Sequence, residues 1–164
     1  MIALGVYTGI LKVIISNFKF AKIKRYKEPL GFFLAEKIKQ EFDLDKIDYI
    51  IPVPLHKEKL KERGFNQSEL LAKKISKLIK KPCLKTLNRI KNTLPQYSLS
   101  PLEKIKNIKD AFELDIRKIN LQDKNILIID DIFTTGSTVQ EMCKVLLENG
   151  VKDIYVAVLT KTLN

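Results

Sequence analysis

The sequence predicts a single α/β domain with a central, mostly parallel sheet flanked by helices, and three features support this prediction. The 164 residues are 45% apolar, which suits one compact domain with a buried core. Residues 125–129, which are apolar from Ile126 onward, form a strand of the kind found at the buried centre of parallel sheets. Residues 138–149 then show helical apolar spacing, and residues 154–159 form a second apolar run. The end of the chain is therefore predicted to be a strand–helix–strand unit.

The remainder of the chain divides into a helical N-terminal part, about residues 1–45, and an α/β core, residues 46–164. In the N-terminal part, a helix is expected from Pro29 onward, because apolar side chains recur there at every fourth position. Residues 49–51 are a short apolar run that Pro52 closes, since proline is poorly tolerated inside a central strand. The core is thus expected to begin with a short strand that opens into a loop.

The middle of the chain combines one clear helix with a stretch of weak pattern. Residues 67–80 place leucine and isoleucine on one face and lysine on the other, which predicts an amphipathic helix. Residues 81–110 contain three prolines and many lysines, and a long loop of this kind inside a domain is usually functional or mobile. Residues 111–114 are expected to resume a strand.

The net charge of +11 is unevenly distributed. Residues 121–164 carry four lysines and six acidic side chains, so residues 1–120 hold 26 of the 30 basic and 13 of the 19 acidic side chains. A basic body around an acidic segment suggests an anionic partner or substrate. The alternative is that the lysines only solvate the surface, and composition leaves both open.

No window approaches the roughly 18 uninterrupted apolar residues of a membrane span, so no membrane insertion is expected. The N-terminal apolar run is short, contains Lys12 and lacks a cleavage pattern, which predicts a cytoplasmic protein. Cys83 and Cys143 lie too far apart for a zinc module, which needs about four clustered ligands.

The chemistry concentrates directly after the apolar run 125–129. Asp130 and Asp131 are expected at the carboxyl end of that strand, where ligands of open parallel sheets bind. Adjacent carboxylates repel each other, but they can accept hydrogen bonds from a vicinal diol or help to hold a hydrated cation. The segment that follows combines hydroxyl groups with a glycine before a helix, and its members are Thr134, Thr135, Gly136, Ser137 and Thr138.

A helix amino terminus with free amides, added hydroxyls and a glycine fits one phosphate monoester. No lysine follows the glycine at P-loop spacing, so a polyphosphate loop is excluded. A diol-binding pair followed by a phosphate site predicts recognition of a ribose 5-phosphate. A hydroxyl before a helix is more often only an N-cap, and acidic pairs also occur in receiver domains. Those pairs follow the first strand, whereas this one lies about four fifths of the way along the chain.

The thirteen residues 126–138 resemble the signature of type I phosphoribosyltransferases. The rest of the chain, from about Tyr7, resembles the ComF (ComFC) family, which is associated with competence and related to amidophosphoribosyltransferase. The segments that carry this resemblance are Ile51–His56 and Lys61–Gln67. The spaced positions Arg89, Gln96, Asn107 and Phe112 follow them.

The resemblance implies a phosphoribosyl pyrophosphate site in a type I phosphoribosyltransferase fold, with Mg2+ as cofactor. Asp130 and Asp131 would be the catalytic pair, meeting the ribose hydroxyls and the hydration shell of the metal, while Thr134–Thr138 would wrap the 5-phosphate. The implied pyrophosphate-binding residues are Pro52, Val53, Pro54, Arg63, Asn66 and Gln67. The implied flexible loop that closes over the substrate carries Arg89, Gln96, Lys104 and Asn107.

Two departures from the family pattern are visible. Members usually carry an N-terminal four-cysteine zinc module, and none is expected within these residues. The pattern also has an arginine where this sequence has Lys104, and lysine lacks the forked geometry that binds a phosphate through two bonds.

The family implies a role in DNA uptake, with single-stranded DNA and competence helicases as partners. The first functional hypothesis is therefore a competence protein that binds phosphoribosyl pyrophosphate and single-stranded DNA. The alternative is an active phosphoribosyltransferase of nucleotide metabolism or salvage with an unidentified acceptor. Salvage fits the signature 126–138 but not the segment 63–67.

Overall fold

Strands and helices alternate along most of the chain. The computed structural model describes residues 1–21, 23–93, 101–115, 117 and 119–163, and for residues 101, 102, 104 and 105 it describes the backbone. The strands are β1 (Ile2–Val6), β2 (Tyr49–Pro52), β3 (Leu87–Arg89), β4 (Phe112–Leu114), β5 (Asn125–Phe133) and β6 (Asp153–Lys161). The α-helices are α1 (Gly9–Lys19), α2 (Lys27–Glu41), α3 (Lys57–Arg63), α4 (Gln67–Ile79), α5 (Pro101–Ile108) and α6 (Ser137–Glu148).

The central sheet has the strand order β1-β6-β5-β2, and each neighbouring pair is parallel. The apolar run Ile126–Ile129 lies at its centre, with every side chain fully buried. A central parallel strand is covered on both faces, which is why its residues are apolar without alternation. The predicted fold class, a mostly parallel sheet flanked by helices, is confirmed.

Two apolar layers cover the sheet because successive strand residues point to opposite faces. Leu127 and Ile129 pack in one layer, together with apolar residues of α1, α2 and α4. Ile126 and Ile128 pack in the other, together with α6 and the small antiparallel sheet of β3 and β4. None of the described helices is long and apolar enough to cross a membrane.

The prediction of a helical N-terminal part holds for α1 and α2 but is wrong for β1. This strand pairs with β6 and so belongs to the core sheet, a non-local contact that a five-residue apolar stretch does not reveal. The prediction of a loop throughout residues 81–110 is also wrong. This segment contains the strand β3, whose Leu87 is buried. It also contains the helix α5, which begins at Pro101 and whose Ile108 is buried. Proline favours the first position of a helix, where its missing N–H costs no bond.

The sheet leaves a crevice beside the carboxyl half of β5. Pro52, the last residue of β2, pairs with Ile129, and the amide of Val53 donates the final bond to the carbonyl of Ile129. β5 continues for four more residues to Phe133, still paired with β6 on its other side. The end of β5 is therefore open on one edge, which is where ligands of such sheets bind.

Candidate functional site

Asp130 and Asp131 lie on the open part of β5, and each has a polar partner from a different helix. The prediction that they follow the strand is wrong in detail, because β5 extends past them. Asp130 accepts a hydrogen bond from Ser68 Oγ of α4 at 2.9 Å and another from the backbone amide of Asp131 at 2.8 Å. Asp131 forms a salt bridge with Lys19 Nζ of α1 at 2.9 Å. Helices distant in sequence therefore converge on the acidic pair.

The two carboxylates differ in their electrostatics. Burial raises the pKa of Asp130 to about 7, and the adjacent charge of Asp131 adds to this increase. Lys19 and the hydrogen bonds from the Asp131 amide and Ser68 act against the rise in this pKa. Near neutral pH, Asp130 is thus divided between its protonated and ionised forms, and the protonated form can donate a hydrogen bond to a ligand.

The predicted phosphate segment closes the same crevice. One small pocket is lined by Asp130, by Thr134 and Gly136 of the turn, and by Ser137 and Thr138 at the start of α6. α6 begins at Ser137, so the first amides of the helix, which have no intrahelical acceptors, lie beside the pocket. Thr135 Oγ1 and Ser137 Oγ are 2.5 Å apart. The amides at the start of the helix, the neighbouring hydroxyls and the helix dipole are the groups that favour an anion.

Gly136 is required by the geometry of this turn. It has a φ of 79°, in the left-handed region that favours glycine. A Cβ atom at this position would lie 2.6 Å from Cζ of Phe133, so the Phe133 ring would have to move to admit a side chain. Glycine therefore lets the backbone turn tightly over the Phe133 ring and deliver α6 to the pocket.

The residues predicted for pyrophosphate are brought together around the start of α4. Asn66 caps this helix by accepting a hydrogen bond from the Ser68 amide at 3.0 Å, and it donates through Nδ2 to the carbonyl of Val53 at 2.8 Å. Arg63 donates to Oε1 of Gln67 at 2.8 Å. Asn66 thus ties Val53, the first residue after β2, to the helix that also carries Ser68.

The buried amide of Gln67 has a free donor. This side chain is 1% exposed, and its Nε2 finds no hydrogen-bond partner among the described residues. Buried donors are nearly always paired in native proteins, so an unpaired one at a crevice is a candidate ligand contact. Pro54, the remaining residue of the predicted group, is half-buried in the turn that follows β2.

The residues predicted for the flexible loop are divided among different elements. Arg89 lies in β3, where it hydrogen-bonds Thr93 and its guanidinium is 5.7 Å from the Phe112 ring centroid. Lys104 and Asn107 lie in α5, whereas Gln96 falls outside the described residues. The loop prediction is therefore wrong for Arg89, because β3 pairs with β4, and for Lys104 and Asn107, because they are helical.

Three further residues reach the site without having been predicted. Ser68 could have been suspected, since it follows the Asn66–Gln67 pair at a helix start. Lys59 of α3 donates to the carbonyl of Thr93 at 2.7 Å and lies close enough to Arg89 and Arg63 for repulsion to lower its pKa, after burial as the main cause. Lys19 offered no local signal, because it is one of many lysines in a basic segment.

An open parallel sheet with an acidic pair near the end of one strand, followed by a hydroxyl–glycine turn that begins a helix, is the arrangement of a phosphoribosyltransferase. The family model described as the phosphoribosyl transferase domain matches residues 66–163. Among solved structures, the purine phosphoribosyltransferase from Pyrococcus horikoshii is similar, with a TM-score of 0.51, 22% identity and coverage of 81% of this chain and 70% of that one. This likeness shows the fold.

Two relatives of similar sequence narrow the assignment from the fold to a protein family. Competence protein F of Haemophilus influenzae is 34% identical over 95% of this chain and 70% of its own length. DNA utilization protein YhgH of Salmonella typhimurium is 31% identical over 99% of this chain and 72% of its own length. The chain belongs to the ComF family, and its residues 66–163 form a phosphoribosyltransferase domain.

Gly136→Ala is expected to destabilise the protein by about 2–3 kcal/mol, because it combines left-handed strain with a clash against the Phe133 ring. Urea unfolding measures this change. Gly64→Ala is the matched control, since Gly64 has a φ of 82° but open space around its Cβ position. It should cost only about 1 kcal/mol. Equal losses in the two variants would show that the turn tolerates a side chain beside Phe133.

Asp130 is expected to make stability pH-dependent. Its pKa is raised in the folded state from 3.8 to about 7, so the folded state binds more protons and loses stability as pH rises through this window. Asp130→Asn removes this titration and keeps the Ser68 bond, so its stability relative to the wild type should rise by on the order of 4 kcal/mol between about pH 4 and pH 8. Denaturant unfolding across this range measures the difference. Glu148→Gln, an exposed change on α6, should show no such trend.

Proposed function

We propose that this protein binds phosphoribosyl pyrophosphate with Mg2+ and acts in DNA uptake, binding single-stranded DNA through its basic N-terminal two thirds. The observation that carries the first part is that Asp130 lines the same pocket as the amino terminus of α6. A carboxylate for a ribose hydroxyl and an anion site for a phosphate are then separated by one short turn, as a ribose 5-phosphate requires.

The pyrophosphate end of the ligand would meet a group of cations on the side of α3 and β3. Lys59, Arg63 and Arg89 lie near one another, and Lys59 and Arg63 donate hydrogen bonds to neutral oxygens of Thr93 and Gln67. Burial lowers the pKa of Arg89, while the negative charge of Asp130 acts in the opposite direction. Clustered cations repel one another, so an anion bound between them would relieve this repulsion. The free Nε2 of Gln67 adds a donor.

The residues fit magnesium only as a shared, outer-sphere site. Mg2+ prefers oxygen ligands and is usually held by one or two carboxylates together with substrate phosphates. Asp130 and Asp131 supply such oxygens, but no third acidic, histidine or cysteine side chain joins them among the described residues. Mg2+ would therefore arrive with the pyrophosphate, whose negative charge it would neutralise.

The link to DNA is supported by the relatives and by charge. The similar proteins bear the names competence protein and DNA utilization protein. Of the net charge of +11, the excess lies in residues 1–120, and the end of α4 and the segment after it expose Lys77, Lys80 and Lys85. Exposed lysines contact nucleic-acid phosphates without sequence preference. A competence helicase would be a partner of the same process.

An active phosphoribosyltransferase with an unidentified acceptor is the second candidate. The cation group of Lys59, Arg63 and Arg89 favours it, because a departing pyrophosphate needs compensation of its charge. Pyrophosphate release in the presence of a panel of nucleobases separates the two candidates. Release with one base identifies an enzyme, and silence across the panel together with ligand binding identifies a sensor.

Phosphoribosyl pyrophosphate with Mg2+ is expected to raise the melting temperature by about 5–10 °C at a hundredfold excess over Kd, since the ligand binds the folded state alone. Asp130→Asn combined with Asp131→Asn should abolish this shift because the diol loses its charged acceptors. Thermal unfolding followed by circular dichroism measures the effect. Glu148→Gln combined with Asp153→Asn removes the same charge from exposed positions and should keep the shift. A shift that survives in the first variant would place the ligand elsewhere.

Single-stranded DNA is expected to bind with a salt dependence whose log–log slope is about −3, the value for contacts with roughly four phosphates. Lys77→Gln with Lys80→Asn should make the slope less negative by about 1.4, because each lost phosphate contact removes about 0.7 from its magnitude. Asparagine suits position 80, which has a φ of 55°. Filter binding across a salt series measures the slope. Lys144→Gln with Lys152→Gln, exposed positions in the acidic part, is the control. No retention at low salt would exclude DNA binding.

A further inference from the structure

Lys19 is the one residue of α1 whose charged group reaches the acidic pair. It is the last residue of the helix, and its ammonium nitrogen lies 2.9 Å from Oδ1 of Asp131. The side chains are 18% and 10% exposed, so solvent screens this pair far less than it screens ion pairs on the surface. Such a partly buried pair carries electrostatic weight, and removing one member leaves the other uncompensated.

The residues on either side of Lys19 are fixed to the predicted pyrophosphate segment. Phe18 is fully buried, and its ring centroid lies 5.9 Å from that of Phe65. On the other side, the Phe20 ring centroid lies 5.8 Å from Cζ of Arg63, a cation–π distance. The buried Phe18 therefore anchors the end of α1 to the segment 63–65, and the exposed Phe20 adds a contact at the surface. This anchoring reduces the entropy lost when the lysine side chain meets Asp131.

The positive charge of Lys19 offsets the repulsion between the acidic pair and the phosphate groups of the proposed ligand. Asp130 and Asp131 are adjacent, and a phosphate and a pyrophosphate would bind on either side of them. Carboxylates next to these anions are unfavourable unless a cation offsets the repulsion, as a divalent ion does in many phosphate sites. Lys19 places a cation at Asp131 within the protein itself.

We propose that Lys19 is a positioning residue that supplies the counter-charge of Asp131, so that this carboxylate needs no divalent cation of its own when the ligand binds. The inference rests on the proposed binding of phosphoribosyl pyrophosphate and adds a role for the N-terminal helix. Mg2+ then acts at the pyrophosphate, and Lys19 and Mg2+ are partly interchangeable in their effect on ligand affinity.

The test is calorimetric titration of phosphoribosyl pyrophosphate into the wild type and variants, first with Mg2+ chelated and then at rising Mg2+ concentrations. Lys19→Met should weaken binding by at least about tenfold without Mg2+, because Asp131 loses its counter-charge. At saturating Mg2+ the deficit should shrink to about threefold or less, since the metal can then approach the carboxylate. Lys19→Arg should stay within about threefold of the wild type throughout.

Lys12→Met is the matched control, because Lys12 is an exposed lysine about two turns earlier on the same helix. It should bind as the wild type does at every Mg2+ concentration. Circular dichroism and thermal unfolding verify that each variant is folded, and Lys19→Gln replaces Lys19→Met if the latter does not fold.

The results separate this inference from the proposed function. A wild type that binds the ligand, with a Lys19→Met deficit that is absent or is the same at all Mg2+ concentrations, would overturn the counter-charge role alone. An unvarying deficit would mean that Lys19 only supports the structure. A wild type that binds no phosphoribosyl pyrophosphate with or without Mg2+ would overturn the proposed function, and this inference with it.

Discussion

The site depends on the unequal lengths of two neighbouring strands. β2 ends at Pro52, while β5 continues to Phe133, and this difference opens one edge of β5 where the acidic pair lies. Pro52 cannot donate an amide hydrogen bond, and the chain turns away after the Val53 amide has bonded Ile129. Asn66 then fixes the departing chain by its bond to the Val53 carbonyl. A strand that continued beyond Pro52 would fill the space where a ligand can approach Asp130.

Two adjacent carboxylates in a half-buried crevice are tolerated because each is stabilised differently. Asp130 receives hydrogen bonds from Ser68 and the Asp131 amide, yet its pKa rises to about 7, so part of its charge is removed by protonation. Asp131 is compensated by Lys19 instead. Asp130, when protonated, can therefore donate a hydrogen bond, whereas Asp131, paired with Lys19, accepts one. A sugar diol, whose hydroxyls both donate and accept, suits this asymmetry.

The fold and the centre of the site could be predicted from sequence because their signals are local. The apolar run of β5, the acidic pair and the hydroxyl–glycine turn before α6 are contiguous, and the apolar pattern locates β5 and α6 although it ends the strand four residues too early. β1 was missed because its strand character comes from pairing with β6, more than 150 residues away. Lys19 was missed for the same reason, since its partner Asp131 is distant in sequence and lysines around it look alike.

The N-terminal region distinguishes this site from the shared domain. The family model covers residues 66–163, which include Ser68, the acidic pair and α6, the parts needed to hold a ribose phosphate. Lys19, Lys59 and Arg63 all precede this range, and each adds a positive charge at the edge of the crevice. Phe18 of α1 packs against Phe65, and Phe20, which follows the helix, contacts Arg63 at the surface. The segment 63–65 therefore lies against the end of α1, so the charges of Lys19 and Arg63 come from neighbouring parts of the fold although neither belongs to the range 66–163.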